Sequence, residues 1–261
     1  MTLDKVSKDI RRTIIKMANL SKSPHVGSAL SCTDILTTLY FKVMNITKPI
    51  NDDRDYFLLS KAHSAMALYA TFLQKDFMTQ KQIDGYYQND GTLPAHTDRD
   101  TSDFVEISAG SLGHGLPIAV GIANSIKIAQ ESNKVYVLMG DGEMQEGSIW
   151  EAAMLAPKLK LDNLMVFIDH NNLQGYGRAT ELVSFYPIKD KWESFGWEVY
   201  EIDGHDHEVI EKVAKLESKR PKVIICKTIK GKGVSFMEDQ LIWHYYIVTD
   251  EVKEKALREL I

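Results

Sequence analysis

Short apolar runs without polar alternation set the strongest constraint on this chain. Residues 135–139 read VYVLM, 163–169 read NLMVFID and 222–229 read KVIICKTI. Successive side chains of a strand point to opposite faces, so a strand with one wet face alternates apolar and polar residues. Uniformly apolar strands are covered on both faces, as in parallel sheets wrapped by helices. DYFLLS at 55–60 and WEVYEI at 197–202 add two further strands. Helical patterns fall between them, at about 111–130, 148–159, 187–195 and 206–218. The predicted fold class is therefore α/β, a parallel sheet with helices on both faces. An amphipathic helix over about 3–20 precedes it, with apolar residues at 6, 10, 14, 17 and 20. A loop, SKSPHVGSALS, leads to a further helix from about Thr33 or Asp34, and 76–108 reads as irregular. The 261 residues, 44% hydrophobic, suffice for one large domain or two small ones. No Pro/Gly/Ser linker divides them, so residues 1–261 are expected to form a single domain.

Bulk properties narrow the function classes. The net charge of −5 and the absence of a basic stripe argue against nucleic acid as a partner. The apolar runs fall far short of the roughly 20 residues that span a bilayer, so no membrane role is expected. The N-terminus lacks a secretory apolar region. Cys32 and Cys226 lie far apart and read as packing residues rather than a disulfide framework. Together these point to a cytoplasmic, reduced protein.

In parallel sheets, ligands bind beyond the carboxyl ends of the strands. Three loops at those ends are unusual: 140–147, 169–177 and 229–244. The first reads GDGEMQEG, with Asp141 held between Gly140 and Gly142. The glycines permit a sharp turn and a close approach, and the following helix offers free N–H groups suited to a phosphate. The second reads DHNNLQGYG, with Asn171 at the tip of an adjacent predicted strand. A carboxylate and an amide oxygen converging there make a hard-oxygen site for Mg²⁺ or Ca²⁺, completed by phosphate oxygens. The alternative is an acidic turn beside an unrelated Asn-rich loop.

GDG at 140–142 followed by NN at 171–172 resembles the signature of thiamine diphosphate enzymes, and the surrounding sequence resembles the transketolase family. The matching segments run in order along essentially the whole chain. They are SPHVGSALSCTDIL at 23–36, LSKAHSAMALYA at 59–70, LPAHTDRD at 93–100, SAGSLGHGLPIAVGIA at 108–123, GDGEMQEGSIWEAAMLAPKLKLDNLMVFIDHNNLQ from 140, and KTIKGKGVSFME at 227–238. The resemblance implies the thiamine diphosphate-binding fold, in its diphosphate-binding domain alone. It therefore implies the N-terminal subunit of a split transketolase, whose partner is a C-terminal subunit with the pyrimidine-binding domain, in an α2β2 assembly. A truncated chain is the alternative, against which the amphipathic DEVKEKALRELI suggests a finished helix. The activity implied is transfer of a two-carbon ketol unit between sugar phosphates. A synthase of the 1-deoxyxylulose-5-phosphate synthase type, a specialised ketose transferase and a non-catalytic cofactor-binding module are the alternatives.

The resemblance also implies roles for individual residues. Asp141, Asn171 and the Leu173 carbonyl would bind the divalent ion, Mg²⁺ or else Ca²⁺ or Mn²⁺. Gly142 would leave room for the diphosphate of thiamine diphosphate, and Gly110, Ser111 and Leu112 would form the turn beside its aminopyrimidine. His63 would contact the diphosphate, and His96 the donor's C1 hydroxyl or carbonyl region. His25 and His244 would exchange protons with sugar oxygens, with His244 also beside the cofactor. Glu146 matches a glutamate that joins subunits, and it also suits a helix N-terminus. His114 replaces a usual glutamine, while His170, His205 and His207 read as structural or surface residues. Pro24 and Ala62 stand where glycine is usual, narrowing the backbone's choices beside His25 and His63. LIWHYYIVTD, around His244, departs from the small and polar residues usual after that histidine.

Overall fold

The structure is a computed structural model and describes residues 2–184 and 186–261. Its centre is a five-stranded, wholly parallel sheet in the order β1-β2-β3-β5-β4. The strands are β1 (Tyr56–Leu59), β2 (Val135–Gly140), β3 (Leu164–His170), β4 (Glu198–Asp203) and β5 (Lys222–Lys227). The helices before β2 are α1 (Leu3–Ser21), α2 (Val26–Ser31), α3 (Thr33–Thr38), α4 (Ala65–Gln74), α5 (Gln80–Asp84) and α6 (Gly115–Ala129). After it come α7 (Gly147–Lys158), α8 (Ala179–Leu182), α9 (Ile188–Ser194), α10 (His207–Lys215) and α11 (Asp250–Glu259).

Side-chain alternation divides the core into two layers, one on each face of the sheet. On one face Phe57, Tyr136, Leu138, Phe167 and Ile224 pack against Ile10 and Ile14 of α1, Leu36 of α3 and Phe72 of α4. On the other, Leu58, Val137, Met139, Val166 and Ile225 meet Ala119 and Ala123 of α6, Ala153 of α7 and Trp192 of α9. The three central strands are therefore apolar at nearly every position. The outer strand β4 differs: Val199 and Ile202 are buried while Glu201 and Asp203 face solvent.

Two local expectations are corrected. The segment read as a loop over 21–31 contains α2, whose Val26, Ala29 and Leu30 are buried. The helix expected from about Ser111 begins at Gly115, after a turn over 110–114. Among the described residues no helix is long and apolar enough to cross a membrane, and both cysteines are buried and unpaired.

Candidate functional site

Register places the ends of β1, β2, β3 and β5 side by side, with Gly140 opposite Asp169 and Asp169 opposite Cys226. Residues immediately beyond these ends enclose a cavity of about 640 Å³. Asp141, Asn171 and Leu173 all line it, from the β2 and β3 tips. Asp141 is buried; its Oδ1 accepts from the Gly142 amide at 2.7 Å, and its Oδ2 accepts from the Asn172 amide at 2.6 Å. His170 Nδ1 lies 3.1 Å from the same Oδ2, and its Nε2 lies 2.6 Å from the Tyr186 hydroxyl. His170 is thus a buried neighbour of Asp141, not a surface residue. Asn171 Oδ1 accepts from the Leu173 amide at 3.0 Å, while its Nδ2 donates to Ser31 Oγ at 3.1 Å.

Two lysines on the cavity wall escaped the sequence reading. Lys61 forms a buried ion pair with Asp169, which also accepts from Ser31 and Thr228. Burial alone would raise the Asp169 pKa, but Lys61 and these donors outweigh it and hold the carboxyl below its usual range. Lys61 moves the opposite way: burial is outweighed by the charge of Asp169, and its pKa rises. Lys230, only 2% exposed, donates to the Leu173 carbonyl at 2.9 Å and meets His244 Nδ1 at 2.8 Å. Burial and then Lys61 bring its pKa down to about 8. Because an ammonium only donates, His244 Nδ1 is the acceptor and its proton is assigned to Nε2. A usable signal was present for Lys61: Asp169 ends an apolar strand that must be buried, and a buried carboxylate needs a cation.

The four expected histidines converge. Ring centroids are 4.8 Å apart for His25 and His63, 5.1 Å for His25 and His244, and 4.6 Å for His63 and His96. His25, His63 and His244 line the cavity, and His96 stands behind His63. His25, immediately after Pro24, adopts a left-handed conformation (φ 72°) and its amide donates to the His244 carbonyl at 2.9 Å. That conformation costs a non-glycine residue about 1–3 kcal/mol and here joins the two histidine loops. Burial first, then the charges of neighbouring groups, lower the pKa of His25 to about 4 and that of His244 to about 3. His63 and His96 are also lowered, chiefly by burial. All four imidazoles are therefore neutral at pH 7, and the accepting nitrogen of His244 is the one that meets Lys230.

Other expected residues fall differently. Leu112 lines the cavity, but Gly110 and Ser111 are exposed and do not, and Gly110 reaches only the His96 ring. Gly142 does line it, yet a Cβ there would meet the Gln174 carboxamide carbon at 2.8 Å. The end of the Gln174 side chain thus lies over Gly142. Glu146 is exposed at the start of α7, on the cavity rim. His114 is exposed and bonds locally to the Leu112 carbonyl. His205 and His207 are not surface residues: His205 Nδ1 sits 2.7 Å from Asp34, itself paired with Arg11, and His207 Nδ1 2.7 Å from Thr38.

Comparison with known proteins places this geometry. The family model described as the transketolase, thiamine diphosphate binding domain matches residues 3–256. The chain belongs to the transketolase family. One subunit of the apulose-4-phosphate transketolase of Phocaeicola vulgatus is 39% identical over 264 residues, which cover 99% of this chain and 94% of that protein. The 6-deoxy-6-sulfo-D-fructose transketolase subunit SqwG of a Clostridium species is 39% identical over 241 residues, covering 90% and 88%. The solved transketolase of Campylobacter jejuni superposes with a TM-score of 0.91 at 32% identity; the match covers all of this chain but 43% of that one. The chain thus has the extent of the relatives named as subunits and spans less than half of the solved transketolase.

The transketolase cavity suits a diphosphate carried with a cation. Among the described residues its walls hold four carboxylates, Asp141, Glu143, Glu146 and Asp169, against two ammoniums, Lys61 and Lys230. An anion alone would face that surplus of negative charge, whereas a divalent cation offsets it. Gln174 Nε2 is buried with no acceptor, a donor left for an incoming oxygen. Among the described residues no three His, Cys, Asp or Glu side chains are grouped to hold a metal. A hard cation here would therefore rely on Asp141 with amide and carbonyl oxygens and on phosphate oxygens. The Leu173 carbonyl keeps a second lone pair beside the one used by Lys230.

Proposed function

We propose that this chain is the diphosphate-holding half of a two-chain transketolase. The pair would transfer a two-carbon ketol unit from a ketose phosphate to an aldose phosphate. The observation that carries the proposal is the neutral cluster of His25, His63 and His244, with His96 behind it, lining the same cavity as Asp141 and Asn171. Asp141, Asn171 Oδ1 and the Leu173 carbonyl would hold a divalent ion, Mg²⁺ or else Ca²⁺ or Mn²⁺. Bound thiamine diphosphate supplies the carbanion that accepts the ketol unit. His63, Lys61 and Lys230 would face the diphosphate, and Leu112 the ring system.

On the substrate side, His96 would donate to the C1 oxygen of the ketose donor. His25 would take a proton from a sugar hydroxyl and return it to the product oxygen, while His244, whose Nδ1 accepts from Lys230, would present its Nε2 proton to a sugar oxygen. A neutral imidazole at His25 suits both directions, because it accepts without first losing a proton. The partner would be a pyrimidine-binding subunit in an α2β2 assembly, a reading supported by relatives of this extent that are named as subunits.

The test is co-purification with a candidate C-terminal subunit, followed by assay of ketol transfer and sedimentation. Given the relatives' names, the donor panel should include apulose 4-phosphate and 6-deoxy-6-sulfo-D-fructose compounds beside ordinary ketose phosphates. Activity and tight thiamine diphosphate binding are expected together, and only with both chains, because binding is linked to assembly. Full turnover by this chain alone would overturn the two-chain reading.

A further inference from the structure

The cavity has a neighbour. A groove of about 510 Å³ runs beside it, lined by Gly175, Leu241, Ile242, Tyr245 and Tyr246. Gly175 and Tyr245 belong to both walls. The chemistry on the two sides is opposite. The cavity carries imidazoles, carboxylates and ammoniums, whereas the groove is apolar, with Leu241, Ile242 and Tyr246 38%, 57% and 49% exposed. Tyr245 stands between them with its ring centroid 4.5 Å from that of His244 and 6.2 Å from that of His25. The residue is 54% exposed, and its hydroxyl end is seated against Gly175. A Cβ on Gly175 would lie 2.5 Å from the Tyr245 hydroxyl oxygen, so the glycine leaves the space this phenol fills.

We propose that Tyr245 is a specificity-determining partition: its ring closes the hydroxyl-recognising cavity against the apolar groove and so restricts the aldehyde acceptor to short, hydroxylated chains. The inference rests on the transferase reading above. An aldehyde whose carbonyl lay at the imidazole cluster would meet the Tyr245 ring where its chain extends towards the groove. A hydroxylated chain bends back towards polar walls, while an apolar tail has no place to go. Removing the ring joins the two spaces and gives an apolar tail a surface to bury on. One or a few buried methylenes change acceptor discrimination by about 10–200-fold.

The test uses the assembled two-chain enzyme with one ketose phosphate donor held constant. The measured quantity is the ratio of kcat/KM for phenylacetaldehyde to that for glycolaldehyde. Tyr245→Ala is expected to raise the ratio at least tenfold, and Tyr245→Phe, which keeps the ring, to leave it within twofold of wild type. Gly175→Ala displaces the phenol without removing it and is expected to raise the ratio in the same direction; it carries the test if Tyr245→Ala does not fold. A ratio within twofold of wild type in the folded ring-removing or ring-displacing variant overturns the partition. An equal rise in Tyr245→Phe also overturns it, by assigning the effect to the hydroxyl. A wild-type assembly without transfer to either acceptor overturns the transferase reading itself, whereas active wild type with an unchanged ratio overturns the partition alone.

Discussion

Replacing Lys61 by methionine unpairs a fully buried carboxylate. Asp169 has no exposed side-chain surface and pairs with Lys61, which is itself 5% exposed. Removing one partner of such a pair leaves an uncompensated buried charge and costs about 3–5 kcal/mol. Three hydrogen-bond donors remain on Asp169, from Ser31, Thr228 and Asn171, so the lower end, about 3 kcal/mol, is expected. With a urea m-value of about 3 kcal/mol per molar, the upper part of the usual range, the midpoint should fall by about 1 M. The sign with pH follows. In wild type the Asp169 pKa is depressed, so its contribution is present above the usual carboxyl pKa and is lost as pH falls through the depressed value. Without Lys61, burial dominates and the pKa rises, so the variant loses stability as pH increases. The gap from wild type should therefore be wider at pH 8 than at pH 5. Lys61→Met with Asp169→Asn removes both charges and should recover most of the loss, a positive coupling of about 2 kcal/mol or more in a double-mutant cycle. Equal destabilisation at both pH values, or a double variant as weak as the sum of the singles, would refute the reasoning.

Asp141→Asn should weaken thiamine diphosphate binding by the assembled enzyme at least tenfold, about 1.4 kcal/mol; titration calorimetry with unchanged affinity sinks the metal assignment. His63→Ala should raise the cofactor concentration needed for half activity, whereas His96→Ala should lower donor turnover with the cofactor still bound. Normal transfer kinetics in both would show the two roles to be wrong. The imidazole cluster should make the fold acid-sensitive. His25 and His244 are neutral in the fold, with pKa values pulled down to about 4 and about 3, so stability is full above the ordinary value near 6.5 and declines as pH drops towards 4. Melting at pH 7.5 and pH 5 checks this, and His25→Gln should lessen the difference.

Much of the fold is legible because burial on both faces writes itself into composition. β2, β3 and β5 have almost no wet position, and their apolar runs mark them within two residues of their observed ends. The same rule under-describes β4, where Glu201 and Asp203 face solvent while Val199 and Ile202 are buried. Helix α2 was hidden for a different reason. Its sequence, VGSALS, is short and rich in residues common in loops, and its stability comes from packing Val26, Ala29 and Leu30 into the core rather than from local propensity.

The site divides along a similar line. The histidines and the strand-tip Asp141 and Asn171 are legible because each sits in a motif whose residues are contiguous. The cations are not, because each is defined by a partner distant in sequence: Lys61 and Asp169 are 108 residues apart, and Lys230 and Leu173 are 57 apart. Read locally, a lysine in a loop is a solvated charge. It becomes a buried donor only when parallel register brings the tips of β1, β3 and β5 to one edge. A carboxylate within an uninterrupted apolar strand nevertheless states half of that pair in advance, since the strand must be buried and the charge must be matched. Lys61 stands two residues beyond the apolar end of β1, just as Asp169 stands two residues beyond Phe167, which is level with Leu59 through Leu138. Asp169 thus asks for a cation, and the strand order decides which lysine answers.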